Sequence, residues 1–171
     1  MLRFIPLLRR AALLALLPAL AACDANRVYE DNTDLEANGQ PYLWSVQTKP
    51  AFEFKIEDPA QAYNVYLNVR NASMYGYYNL YIKATLTGPG GPVGKPMLHQ
   101  MILMDPKTGE PRGNGMGDIF DHQFLAMPRQ RFPQAGTYRL TLEQYMRQDV
   151  LPGIMSVGVR VEKAPADGAA N

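Results

Sequence analysis

The chain has 171 residues, 47% hydrophobic and 19% charged, with 17 Lys and Arg against 16 Asp and Glu and a single cysteine. So even a balance carries no basic footprint for nucleic acid, and one cysteine cannot build a disulfide framework within the chain. Stability has to come from a packed core.

The first 23 residues set the address. Arg3, Arg9 and Arg10 form a positive n-region, Ala11 to Leu20 is apolar, and Ala21 and Ala22 precede Cys23. This is the layout of a cleaved export signal. The apolar run falls short of the roughly 20 residues that a membrane span needs. Leu20-Ala21-Ala22-Cys23 reads as a lipobox, in which the thiol of Cys23 takes a diacylglyceryl group and the new amino terminus can be acylated with palmitate. Several acyl chains hold firmly, since each buried methylene adds roughly 0.8 kcal/mol. Removing residues 1–22 takes away three arginines and no acid, leaving 14 cationic against 16 anionic side chains, a net charge of −2.

Four stretches follow from this reading: a signal peptide at 1–22, a lipidated cysteine with a flexible tether at 23–40, a folded domain at 41–163 and a disordered tail at 164–171. The tether expectation rests on the polar run Glu30, Asp31, Asn32, Asp34, Glu36, Asn38 and Gly39. Fully extended, Asp24 to Gln40 would reach on the order of 55 Å.

Within the domain, apolar residues recur with a period of two. Phe52, Phe54 and Ile56 alternate with Glu53, Lys55 and Glu57, and Tyr63, Val65, Leu67 and Val69 with Asn64, Tyr66, Asn68 and Arg70. Leu80 to Leu86, Tyr138 to Leu142 and Met155 to Val161 repeat the pattern. Each such stretch predicts a strand with one face inward. Met97 to Met104, Gln123 to Phe132 and Tyr42 to Val46 are expected to add further strands. Turns are placed at Asp58-Pro59, Gly88 to Gly94, Asp105 to Gly117, Pro133 to Gly136 and Pro152-Gly153. The fold class is therefore all-β: a single β-sandwich, Greek-key or jelly-roll-like, with about seven or eight strands. A helical turn is expected at most near Asp118 to His122 or Glu143 to Asp149.

Motifs for chemistry are thin. The loop Gly88 to Lys95 resembles a phosphate loop only in composition: Pro89 and Pro96 stand where a glycine and a Ser/Thr are needed. It is read as a long hairpin connection. Asp118, Asp121 and His122, with His99 from a distant segment, fall short of a metal set, and Ser45, Ser73 and Ser156 lack a nucleophile-elbow setting. No cofactor, metal or catalytic residue is expected. The densest aromatic run, Tyr75 to Tyr81, is the candidate partner surface through Tyr75, Tyr77, Tyr78 and Tyr81, joined by Arg147 and Asp149 in the turn Met146 to Ile154. The same rings could stack on sugars, which leaves a lipid-anchored glycan-binding module as an alternative. Trp44 is expected in the core.

A wider pattern is carried by Gly136-Thr-Tyr138, Glu143-Gln-Tyr-Met-Arg147, Leu151-Pro-Gly-Ile154 and Val157-Gly-Val-Arg-Val-Glu-Lys163. Upstream of these lie Val28-Tyr29, Trp44, Phe52 to Asp58, Tyr63 to Asn71, Asn79-Leu80, Gly113 to Asp118 and Arg131-Phe-Pro133. In this order they resemble the gliding motility lipoprotein family GldH of Bacteroidetes, over nearly the whole mature chain. The Gly/Pro-rich stretch 88–96 departs from the family's more polar loop. The resemblance implies a non-enzymatic cell-envelope lipoprotein of the gliding machinery, a system linked to type IX secretion. Its partners would be the membrane, through the lipid anchor, and other gliding-machinery envelope proteins, with no nucleic acid or small-molecule substrate. Asp24 after the cysteine would favour the inner membrane under the enterobacterial sorting rule; the expectation here is the outer membrane, with the domain outside the cytoplasm.

Overall fold

The computed structural model describes residues 24–165, so the signal segment, Cys23 and residues 166–171 lie outside the described residues. In chain order the strands are β1 (Arg27–Asp34), β2 (Glu36–Ala37), β3 (Gln40–Pro41), β4 (Leu43–Ser45), β5 (Ala51–Ile56), β6 (Tyr63–Ala72), β7 (Asn79–Gly88), β8 (Gly91–Pro92), β9 (Met97–Ile102), β10 (Asn114–Met116), β11 (Ile119–Gln130), β12 (Gly136–Gln144), β13 (Val150–Pro152) and β14 (Ile154–Lys163).

Two antiparallel sheets make the sandwich. One has the order β1-β14-β6-β11-β10; the other runs β5-β12-β7, with β8 and β9 both paired to β7. Following the long strands, the chain changes sheet at every step except β7 to β9. That is the winding of a jelly roll, one of the two windings the sequence left open for the expected sandwich.

The period of two becomes two layers of inward side chains. Phe52, Phe54, Ile56, Leu80, Ile82, Leu140 and Leu142 from one sheet meet Val65, Leu67, Val69, Val157, Val159 and Val161 from the other, all buried. Each aliphatic side chain so enclosed adds about 1.5–3 kcal/mol. One end is sealed by aromatic rings: Phe132 meets Tyr138 edge-on at 4.6 Å and Tyr63 at 5.6 Å. Trp44 is fully buried, its indole N–H donating to the Thr48 carbonyl at 2.9 Å.

Three expectations need correction. The polar stretch taken as tether is β1 from Arg27 onward, paired with β14 from Arg27↔Glu162 to Asp34↔Ser156. As an edge strand with only Val28, Tyr29 and Glu30 partly buried, it needs no apolar alternation to hold its ladder. The continuation is a hairpin of β2 and β3 on Asn38 and Gly39, at φ 54° and 70°, an Asn-Gly turn of the hairpin type. Second, the stretch expected to turn helically at Asp118 to His122 is the hairpin into β11, and Glu143 and Gln144 end β12. Third, Ala164, expected in the tail, belongs to the fold: it is buried and its N–H donates to the Ala62 carbonyl at 2.8 Å.

The two ends of the sandwich differ. Lys163 N–H donates to the Asn26 carbonyl at 2.8 Å, and Lys163 pairs with Tyr63 at the start of β6. β6 then runs ten residues to Ala72, about 30 Å at strand rise. The Tyr75 to Tyr81 segment follows at that far end.

Candidate functional site

The far end carries a groove. Tyr77, Tyr81, Leu98, Tyr145, Met146 and Arg147 line it, enclosing about 390 Å³. Tyr81 stands on the outer face of β7, opposite Gln100 of β9, and Leu98 lies two pairs further along on the same face, opposite Lys83. Tyr145 and Met146 come from the loop after β12. That loop is tied to β7 by Tyr145 N–H donating to the Tyr81 carbonyl at 2.8 Å, with the Tyr81 N–H 3.4 Å from the Met146 sulfur.

Gln144 holds the loop from beneath. Buried at the end of β12, it donates through Nε2 to the Gln148 carbonyl at 2.7 Å and accepts from the Met146 N–H at 2.9 Å. A buried amide satisfied at both ends fixes a loop that has few backbone bonds of its own. Beside the groove, Glu143 accepts ion pairs from Lys49 at 2.9 Å and Lys83 at 3.1 Å. The Lys49 contact is the main cause that holds its carboxyl below the ordinary value, against burial and with help from Lys83. Lys83 also lies 5.7 Å from the Tyr145 ring centre.

The structure sorts the sequence-predicted surface. Tyr77, Tyr81 and Arg147 meet at the groove; Tyr78 is 46% exposed, but neither it nor Asp149 lines that groove. Tyr75 is a correction: it is 3% exposed, its hydroxyl donating to the Asn79 carbonyl at 2.8 Å, and burial with Tyr77 nearby pushes its phenol up. Tyr75 alone of these rings turns inward, in the turn after β6 where its N–H donates to the Ala72 carbonyl at 3.0 Å. Gly153 of the Pro152-Gly153 turn packs down beside it. At Gly153, with φ 88°, a Cβ would stand 2.8 Å from the Tyr75 Cα, while Leu151 and Ile154 are fully buried. Sequence reasoning missed Leu98 and Tyr145. The latter lies inside the Glu143 to Arg147 stretch, where it could have been found.

At the opposite end lies a charge cluster. Arg160, its side chain 13% exposed, donates to Asp24, to Glu30 at 2.6 Å and to Glu162. Asn68 Nδ2 and Arg27 also reach Glu30, each at 3.2 Å. Burial alone would raise the Glu30 carboxyl; the Arg160 and Arg27 guanidiniums and the Asn68 amide hold it below its ordinary value. Asp24 is the residue after Cys23, so this cluster pins the chain next to the expected anchor.

Between the ends, the outer face of the β1-β14-β6-β11 sheet is built in polar rows. Asn32, Gly158, Asn68 and Gln123 form one row and Asp34, Ser156, Arg70 and Asp121 the next. Gln123 Nε2 donates to Asn68 Oδ1 at 3.1 Å, and Asn68 Nδ2 to Asn32 Oδ1 at 3.3 Å across the bare Gly158. Three of the four residues considered for a metal set have other partners: Asp121 takes both arms of Arg70 at 2.7 and 3.0 Å, Asp118 accepts from Ser73 at 3.2 Å, and the buried His122 bonds Asn71 at 2.9 Å while stacking on Phe124, whereas the fourth, His99, keeps a buried Nε2 with no hydrogen-bond partner among the described residues.

A family model described as GldH lipoprotein matches residues 27–161. The match opens on the first residue of β1 and closes within β14, so it spans both sheets. The chain belongs to the GldH lipoprotein family. Among relatives, it is 29% identical over 151 residues to the gliding motility lipoprotein GldH homolog of Christiangramia forsetii, covering 84% of this chain and 88% of that one. It is 26% identical over 152 residues to the gliding motility lipoprotein GldH of Flavobacterium johnsoniae, covering 84% and 89%. The GldH family stretches that marked the resemblance now have physical roles: Gln144 braces the groove loop, the Leu151 to Ile154 corner packs on Tyr75, and Arg160 organises the anchor end. Among the described residues no helix is long and apolar enough to cross a membrane.

Proposed function

We propose that the chain is a lipid-anchored, non-enzymatic component of the gliding machinery of the cell envelope, linked to type IX secretion and working through envelope protein partners. The observation that carries this is the GldH family match, which begins at Arg27, four positions after a cysteine that closes an export signal. Cys23 carries the lipid, the outer membrane is the favoured site, and the domain lies outside the cytoplasm. Because folding resumes at Arg27, Asp24 to Asn26 is the whole connection, on the order of 10 Å when extended. The sandwich therefore stands on the membrane and presents its far end, with Tyr77, Tyr81 and Arg147, away from it. Deleting the gene in its native host and scoring both gliding and secretion tests the reading. Rescue is expected from the wild type and not from Cys23→Ala; normal gliding and secretion in the deletion strain would overturn it.

A glycan-binding module is the second reading, favoured by three tyrosines, Tyr77, Tyr81 and Tyr145, on one groove. Rings gathered at one surface suit stacking on sugars. Calorimetric titration with soluble peptidoglycan fragments decides it: heat lost in Tyr145→Ala supports the reading, and no heat with the wild type ends it.

A further inference from the structure

Among the described residues the open edges of the two sheets are not treated alike. β1 carries Arg27, Glu30, Asp31 and Asp34, and β5 carries Glu53 and Lys55. β11 is bulged between Leu125 and Met127 and again before Gln130, contains Pro128, and is covered at its start by β10. Charge, bulges and proline are the devices that keep an edge from pairing with another chain. β9 has none of them. Its sequence Met97-Leu-His-Gln-Met-Ile102 is uncharged, its pairing with β7 is continuous from Ala84↔Met97 to Asn79↔Ile102, and Leu98 is 53% exposed.

The register fixes which backbone groups are open. Leu103 N–H donates to the Tyr78 carbonyl at 2.8 Å, so Met101, His99 and Met97 turn their amides toward β7. Leu98, Gln100 and Ile102 turn theirs to the free edge. Beside that edge lies the groove of Tyr77, Tyr81, Leu98 and Tyr145, with Arg147 on its rim. Arg147 makes no ion pair or hydrogen bond among the described residues, unlike Lys83, which is held by Glu143.

We propose that β9 accepts an extended segment of a second envelope protein as an added strand, with apolar side chains entering the tyrosine groove and a carboxylate meeting Arg147. A row of open backbone donors and acceptors is what strand addition uses, and a sugar has no need of it. A second copy of this chain does not fit. β9 runs toward the far end of the sandwich, so an antiparallel twofold mate would point its own Asn26 end the opposite way, and two lipid anchors could not enter one bilayer. The proposal rests on the lipid-anchored reading above and names the partner chemistry of that far end.

The test is amide hydrogen exchange on the full mature lipoprotein in detergent, with a short synthetic peptide alternating valine and threonine between terminal glutamates. Exchange is expected to slow about tenfold at Leu98, Gln100 and Ile102 and to stay unchanged at Met97, His99 and Met101. Gln100→Pro, which removes an outward N–H without taking a ladder bond from β7, abolishes the effect. Arg147→Glu transfers the preference to a lysine-ended peptide. Unchanged exchange at the three outward amides would overturn the proposal, as would protection that survives Gln100→Pro, indifference to peptide charge, or protection without peptide in a dimer. In the host, Gln100→Pro lipoprotein at normal level in the membrane should fail to restore gliding. Restoration there would remove the docking edge and leave the motility reading standing, whereas a deletion strain that glides would strike the motility reading itself.

Discussion

Arg160 is the residue on which the anchor end turns. It meets three carboxylates from three places in the chain, Asp24 before β1, Glu30 within it and Glu162 on β14 itself. Arg160→Ala leaves those acids facing one another, and a loss of about 2 kcal/mol is expected after allowing for the partial exposure of Asp24. Urea unfolding reads the loss, and faster exchange of β1 amides locates it. Arg160→Lys should recover less than half, because a point charge cannot fork to several acids. Gln144 makes the corresponding case at the far end. Gln144→Ala removes both braces of the Tyr145 to Gln148 loop, and about 1–2 kcal/mol of stability should go with them. The informative readout is tyrosine fluorescence quenching at the groove, which should rise as Tyr145 is released; an unchanged signal would mean the loop holds itself.

At the scale of elements, β1 is the strand whose fate is most conditional. It is held by one ladder, and that ladder needs a residue without a side chain opposite Asn32. A Cβ at Gly158 would lie 2.0 Å from Asn32 Oδ1 and 2.5 Å from the Asp31 carbonyl oxygen. The side chain could swing away but the backbone carbonyl cannot, so Gly158→Ala is expected to cost about 1–3 kcal/mol and to loosen β1 selectively. A urea midpoint equal to wild type would contradict this. The same element shows why the folded boundary was hard to read. The inner strands announce themselves through Phe52 to Ile56 or Val65 to Val69, where burial demands an apolar residue at every second place. β1 lies at the rim with mostly exposed side chains and is specified by β14, more than a hundred residues away. The Asn38-Gly39 turn was a local signal, and only the expectation of a tether obscured it.

For the molecule as a whole, acid acts in two windows. Burial holds His99 and His122 below the ordinary 6.5, His122 despite the nearby Asp121. An unfolded chain takes up protons these imidazoles refuse, so their contribution is complete above 6.5 and declines as pH falls from there toward the folded-state values. Glu30 and Glu143, held below the ordinary 4.5, contribute fully above that value and lose their contribution as pH falls through the folded ones. Both windows have the same sign. Urea midpoints measured at about pH 7.5, 5.5 and 3.5 should fall in that order, and His122→Gln should flatten the first step. A midpoint that rises toward acid would reverse the assignment.

The sequence by itself determined the sandwich, most of its strands and the family, because alternation, turn residues and short motifs are local and each is written where it acts. It also reached Tyr77, Tyr81 and Arg147. Only the tertiary structure decided that Tyr75 belongs to the core, that Leu98 and Tyr145 complete the groove, that β9 is left open and that Asp24 is clamped by Arg160. Those facts depend on which strands become neighbours and which stay at an edge. Side-chain burial there is set by partners distant in the chain, so no local pattern encodes it.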